Sequence, residues 1–134
     1  MKHGLLLILI IGCAWACQPA DDQQESDDFA AFYEQFHQDS LYQINHISFP
    51  LEGLPHNARR EDPSFRWHAD DWQMHRPFDN PKSGFSTEKV RLGEDLVVEK
   101  IISSNGKFGM MRRFARLNGE WYLIYYAGMN AIAE

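Results

Sequence analysis

The sequence predicts an α+β domain with N-terminal helices packed on an antiparallel sheet. Two observations carry this: an aromatic stripe at helical spacing near residue 30, and three strand-like runs after residue 94 joined by two Asn-Gly pairs. Asn-Gly tolerates positive φ at both central positions of a type I′ turn, whose twist matches the strands it joins.

The stripe is Phe29, Phe32, Tyr33 and Phe36, with Asp27 and Asp28 where carboxylates complement a helix N-terminus. In that helix the stripe faces the core, and His37 and His46 read as exposed or edge residues. Ser40-Leu-Tyr-Gln43 matches a capping box, in which serine and glutamine satisfy two orphan amides, so a short second helix follows. His46–Leu51 alternates like a strand, and Pro50, without an amide donor, places it at a sheet edge or ends it there. Residues 52–63 read as a loop and Ser64–His68 as a short strand. His68 to His75 gathers two histidines and two aspartates at a spacing that matches no tight metal-ligand set. It reads instead as a short helix with Asp70 as its N-cap and Trp67 and Trp72 as anchors that also form pocket wall. Residues 76–84 form another loop, and Phe85 to Leu92 a further strand that turns at Gly93.

Two-residue turns pair Ser104 with Lys107 and Leu117 with Glu120, and counting outward fixes the faces. One face then carries Val97, Glu99, Ile101, Met110, Arg112, Phe114, Trp121, Leu123 and Tyr125. Glu99 falls opposite Arg112 and Asp95 opposite Arg116, pairings worth roughly 0.2–1 kcal/mol each. Glu99, Arg112 and Tyr125 lie side by side in this register. The row has two placements open to it: inside the domain, where a guanidinium with spare donors beside a phenol would orient an anionic or carbonyl-bearing ligand, or exposed on the outer sheet face.

At the N-terminus, Lys2 and the apolar run Leu5–Ile11 form an export signal too short to span a bilayer as a helix. Two cysteines follow, and each resembles the lipobox of bacterial lipoproteins. Cys17 gives the longer apolar stretch and leaves no thiol in the mature chain; Cys13 is the alternative. The expected organisation is a signal peptide over 1–16, an acidic flexible tether over 17–28 and one domain over 29–134. Five of the 19 acidic residues lie in the tether, so the net charge of −6 is mostly a linker property. That balance argues against nucleic acid as a partner. The 17 aromatics after Cys17 suit a filled core in a domain that has no disulfide to staple it.

Phe36–Gln43, Ile47–Leu51, Asp71-Trp72, Leu96–Ile101, Phe108–Met110, Arg113-Phe114 and Gly119–Tyr126 together resemble a family of short Bacteroidota lipoproteins of unknown function. That family is similar in fold to nuclear transport factor two, a helix-lined cone on a curved sheet. The resemblance implies an outer-membrane lipoprotein, facing the periplasm or the cell surface and held by an N-terminal lipid anchor. It implies no activity and no cofactor.

Function is then a choice among three readings. The first is a non-catalytic binding domain, taking a small ligand in the cone or a protein partner on the sheet, with a homodimer through the sheet left open. The second is an isomerase or dehydratase using the pocket, and the third a structural accessory of an envelope complex. No nucleophile and base pair, phosphate loop or zinc spacing appears, and each acid of the charged row has an arginine opposite, which lowers a carboxylate pKa and makes a poor general acid. No catalytic or metal residue is therefore assigned. The pocket candidates are Trp67, Trp72, Glu99, Arg112 and Tyr125.

Overall fold

The computed structural model describes residues 22–78 and 82–133, with side chains from Asp28 onward. Cys13 and Cys17 lie outside the described residues. Helix α1 (Asp22–Gln38) and helix α2 (Ser40–Asn45) precede six strands. These are β1 (Ile47–Leu54), β2 (Arg66–Trp67), β3 (Phe85–Arg91), β4 (Leu96–Ser103), β5 (Phe108–Leu117) and β6 (Glu120–Ala131). They form one sheet in the order β2-β1-β6-β5-β4-β3.

Helix α1 begins at Asp22, inside the segment read as tether, and glutamine and glutamate there are good helix formers. Its buried stripe, Phe29, Phe32 and Phe36, lies on Phe114 of β5 with ring centroids 5.6–5.8 Å away. Burial of each such ring contributes roughly 1.5–3 kcal/mol. Val97, Ile101, Met110, Trp121 and Leu123 complete the core from the same sheet face.

Three local expectations change. Asp39, not Ser40, caps α2, its carboxylate accepting from the amides of Leu41 and Tyr42. Gln43 is thereby freed from any capping box and is fully buried. Asp70 caps nothing: Ala69–Asp71 is a single 3-10 turn that opens at His68 without a side-chain cap.

Strand β1 runs on through Pro50 to Leu54, because β2 pairs only with Leu51 and Glu52 and leaves the Pro50 side open. It runs parallel to β6, whereas every other pairing is antiparallel as the meander predicts. Asn118 (φ 53°) and Gly119 (φ 85°) form the two-residue turn expected of them. At the other hairpin the loop is four residues long. Only Gly106 has positive φ there, and its amide donates to the Ser103 carbonyl.

The β4–β5 register is the one counted from the sequence: Glu99 faces Arg112. Between β5 and β6 it holds from the turn to Phe114, which faces Leu123. A bulge at Ile124 then shifts it by one, so Arg112 faces Tyr126. One inserted residue exchanges the faces beyond it, here as far as a second shift between Met111 and Gly109.

Candidate functional site

Because of that bulge Tyr125 is not part of the inner row. It stands on the opposite face, its ring 4.4 Å from the Arg113 guanidinium, and Tyr126 takes the inner position. Glu99 and Arg112 are inside, each with no exposed side-chain surface. The Arg112 Nε and Nη2 both donate to Glu99 Oε2 at 2.6 Å, and Tyr33 of α1 donates its hydroxyl to Glu99 Oε1 at 2.5 Å.

The remaining donors of Arg112 are also taken. Nη2 donates to the Tyr33 hydroxyl at 3.2 Å, and Nη1 donates to His37 Nε2 at 2.9 Å and to His75 Nδ1 at 3.4 Å. A guanidinium has five N–H groups, so all five are filled. The spare donors expected of Arg112 do not exist.

His37, read as an exposed or edge residue, is 2% exposed. Its Nδ1 donates to the Tyr33 carbonyl one helical turn back at 2.6 Å, which leaves Nε2 as the acceptor that Arg112 needs. Burial, reinforced by the Arg112 charge, pushes its pKa down to about 4. His75 has the opposite tautomer, accepting through Nδ1 and carrying its proton on Nε2. Burial and Arg112 push its pKa down to about 2. Both rings therefore stay neutral beside the cation.

Beyond His75 the same sheet face opens into a cavity of about 540 Å³. Its walls are largely aromatic: Trp67, Trp72, Phe78, Phe85 and Tyr126, with Met110, Met129, His56 and His75. Glu99 and Arg112 do not line it. The wall formed by residues 72–75 is held by Gln43, whose carbonyl accepts from Trp72 Nε1 (3.0 Å) and the His75 amide (2.8 Å) while its Nε2 donates to the carbonyls of Phe36 (2.6 Å) and His75 (2.9 Å). Opposite, Trp67 donates its indole N–H to the Tyr126 carbonyl at 2.8 Å. Gly53 permits this approach, since a Cβ there would meet that carbonyl at 1.8 Å and the indole nitrogen at 2.9 Å.

No family model and no curated protein matches the chain. Solved structures do. An NTF2-like protein from Bacteroides fragilis is similar over 87% of this chain and 51% of its own, with a TM-score of 0.58 and 20% identity. A cystatin-like protein from Bacteroides caccae covers 74% of each chain, with a TM-score of 0.55 and 15% identity. The fold is NTF2-like. The chain spans about half the length of the B. fragilis protein.

Within this NTF2-like sheet, the structure brings Trp67 and Trp72 together at the cavity, their rings 6.4 Å apart and perpendicular, and sets Glu99 and Arg112 behind it. Sequence reasoning missed Tyr33, His37, Gln43, His75 and Tyr126. For Tyr33 and His37 a signal existed: they sit four residues apart on the helix stripe that must cover the charged row. His75 and Gln43 meet across 32 residues of chain and left no local pattern.

Proposed function

We propose that this chain is a membrane-anchored lipoprotein whose NTF2-like domain binds a small ligand without transforming it. The observation that carries the binding half is the cavity: about 540 Å³ lies within the usual range of small-molecule sites, and its walls are aromatic with few polar groups. The non-catalytic half rests on His75 in the wall and Glu99 behind it. A general base works best with a pKa near the operating pH, but His75 is held near 2 and Glu99 is locked in an ion pair behind the wall.

The anchor reading rests on the export signal and on Cys17, with Cys13 as the alternative, and the outer-membrane setting on the sequence resemblance alone. Mass spectrometry of the mature N-terminal peptide tests it. A diacylglyceryl Cys17 is expected, and an unlipidated start would overturn the anchor.

The binding half is tested by titrating the full-length protein with naphthalene while following tryptophan fluorescence. Saturable binding at one site is expected, and Met129→Trp, which fills the cavity from its wall, should weaken it at least about tenfold. No saturable signal with the wild-type chain would contradict the reading.

A further inference from the structure

The polar groups that reach the cavity are unevenly matched, and the imbalance selects a ligand chemistry. His75 lines it, and Arg112 Nη1 donates to its Nδ1, so the ring proton sits on Nε2. That N–H has no partner among the described residues, and it is not among the buried polar atoms left unsatisfied, so it opens on the cavity. His56, also on the lining, repeats the arrangement. Its Nδ1 accepts from the Met129 amide at 2.9 Å, which leaves Nε2–H as its outward group. Of the other donors, the Trp67 and Trp72 indoles are spent on Tyr126 and Gln43 and the Arg112 guanidinium on four internal acceptor atoms, while Gln73 and Arg76 stand exposed on the lining. The Tyr126 hydroxyl points at the Met110 sulfur, 3.7 Å away.

Charge at the cavity cancels. Arg76 and Asp71 both line its rim, both exposed, and Glu99 neutralises Arg112 behind the wall. An anion would thus find no uncommitted buried cation.

We propose that the ligand is a flat, uncharged aromatic or conjugated molecule bearing a carbonyl or equivalent acceptor, which takes its hydrogen bond from His75 Nε2–H. In this arrangement the buried Arg112–Glu99 pair acts on the ligand only through the histidine, by fixing which ring nitrogen carries the proton. The rings of Trp72 and Tyr126, with centroids 5.7 Å apart and each 4.5 Å from the His75 ring, line the cavity beside that donor and supply aromatic surface for the ligand. His75 is thus a specificity-determining residue. The low pKa of the imidazole agrees with this, since it keeps the donor uncharged across the physiological range.

This inference rests on the cavity reading and extends it, and three naphthalene probes separate the two. The full-length protein is titrated with 2-acetylnaphthalene, which has a neutral acceptor, with 2-isopropenylnaphthalene, the same shape without one, and with 2-naphthoate, an anion. The ketone should bind about tenfold more tightly than the hydrocarbon, as a neutral hydrogen bond made in a dry site allows, and at least as tightly as the carboxylate. In His75→Phe the ketone-to-hydrocarbon ratio should fall to about one while the hydrocarbon still binds. The wild-type ratio alone is decisive if that variant does not fold. Binding of all three with no preference for the ketone, or a preference for 2-naphthoate, would overturn the ligand class and leave the cavity reading standing. Failure of all three to bind would remove both.

Discussion

On the two sides of His75 one sheet face has opposite chemistry. Toward α1 it is closed: Glu99, Arg112, Tyr33 and His37 exchange their side-chain hydrogen bonds among themselves, apart from the one Arg112 gives His75, and both charges have no exposed surface. Toward residues 72–78 it is open, and aromatic rings surround space instead of one another's polar atoms. The cover differs in kind. A helix laid along β5 can seal a charge pair because its own backbone is already satisfied and its stripe is continuous. The cover over the other half has one 3-10 turn and borrows its hydrogen bonds from the side chain of Gln43. Charge in this domain therefore organises the interior, and the open half is lined by neutral rings and the imidazoles of His75 and His56.

The largest test of that contrast removes the closed side. Arg112→Met leaves Glu99 buried without its partner and should cost about 3–5 kcal/mol; adding Glu99→Gln should recover much of it. Urea melts of the two single variants and the double variant measure this. A cost below about 1 kcal/mol for Arg112→Met would mean that the pair is solvated.

Acid offers a second route. Both histidines have folded pKa values, about 4 and about 2, below the ordinary 6.5, so the unfolded chain binds more protons in the window beneath 6.5. Their contribution to stability is complete above pH 6.5 and is lost as pH falls toward the folded values. Between pH 7 and pH 5 this amounts to about 2 kcal/mol for each ring. The drop in the urea-derived stability over that interval should shrink by about that amount in His37→Gln.

On the open side, Gln43→Leu deletes the polar group that holds the wall while keeping its volume. It should cost about 1–3 kcal/mol by stranding the Trp72 indole and the backbone of His75. Acrylamide should then quench tryptophan emission more strongly than in the wild type. Smallest of all, Arg113→Ala on the outer face removes a solvent-exposed stack on Tyr125 and should cost about 0.5–1 kcal/mol, with no change in probe binding.

How far the sequence reaches follows from the range of each interaction. Asn118-Gly119 is a local signal, and it carried the register from the turn through Phe114; the charge match of Glu99 and Arg112 set those two opposite each other on the face of Val97, Phe114 and Leu123, but left open whether that face lies inside or outside. It could not announce the bulge at Ile124, because a bulge has no composition of its own when it falls in an unbroken apolar run such as Trp121–Tyr126. That single residue is why Tyr125 stands outside and Tyr126 inside. The exposure assigned to His37 failed for a related reason. A histidine beside an aromatic stripe looks like its polar border, and only the arrival of Arg112, 75 residues later, makes a buried neutral ring the better partner. Gln43 satisfied a capping pattern that Asp39 fulfils one residue earlier, which released it to hold the cavity wall.

The central claim is that Arg112 Nη1 donates to two neutral histidines, to Nε2 of His37 and to Nδ1 of His75, so that their protons sit in opposite places. Long-range proton–nitrogen NMR correlation of the imidazole rings at pH 5 reads it directly. The account predicts that His37 and His75 are both neutral there, His37 protonated on Nδ1 and His75 on Nε2. A doubly protonated ring at either position, or the reverse tautomer at His75, would contradict it.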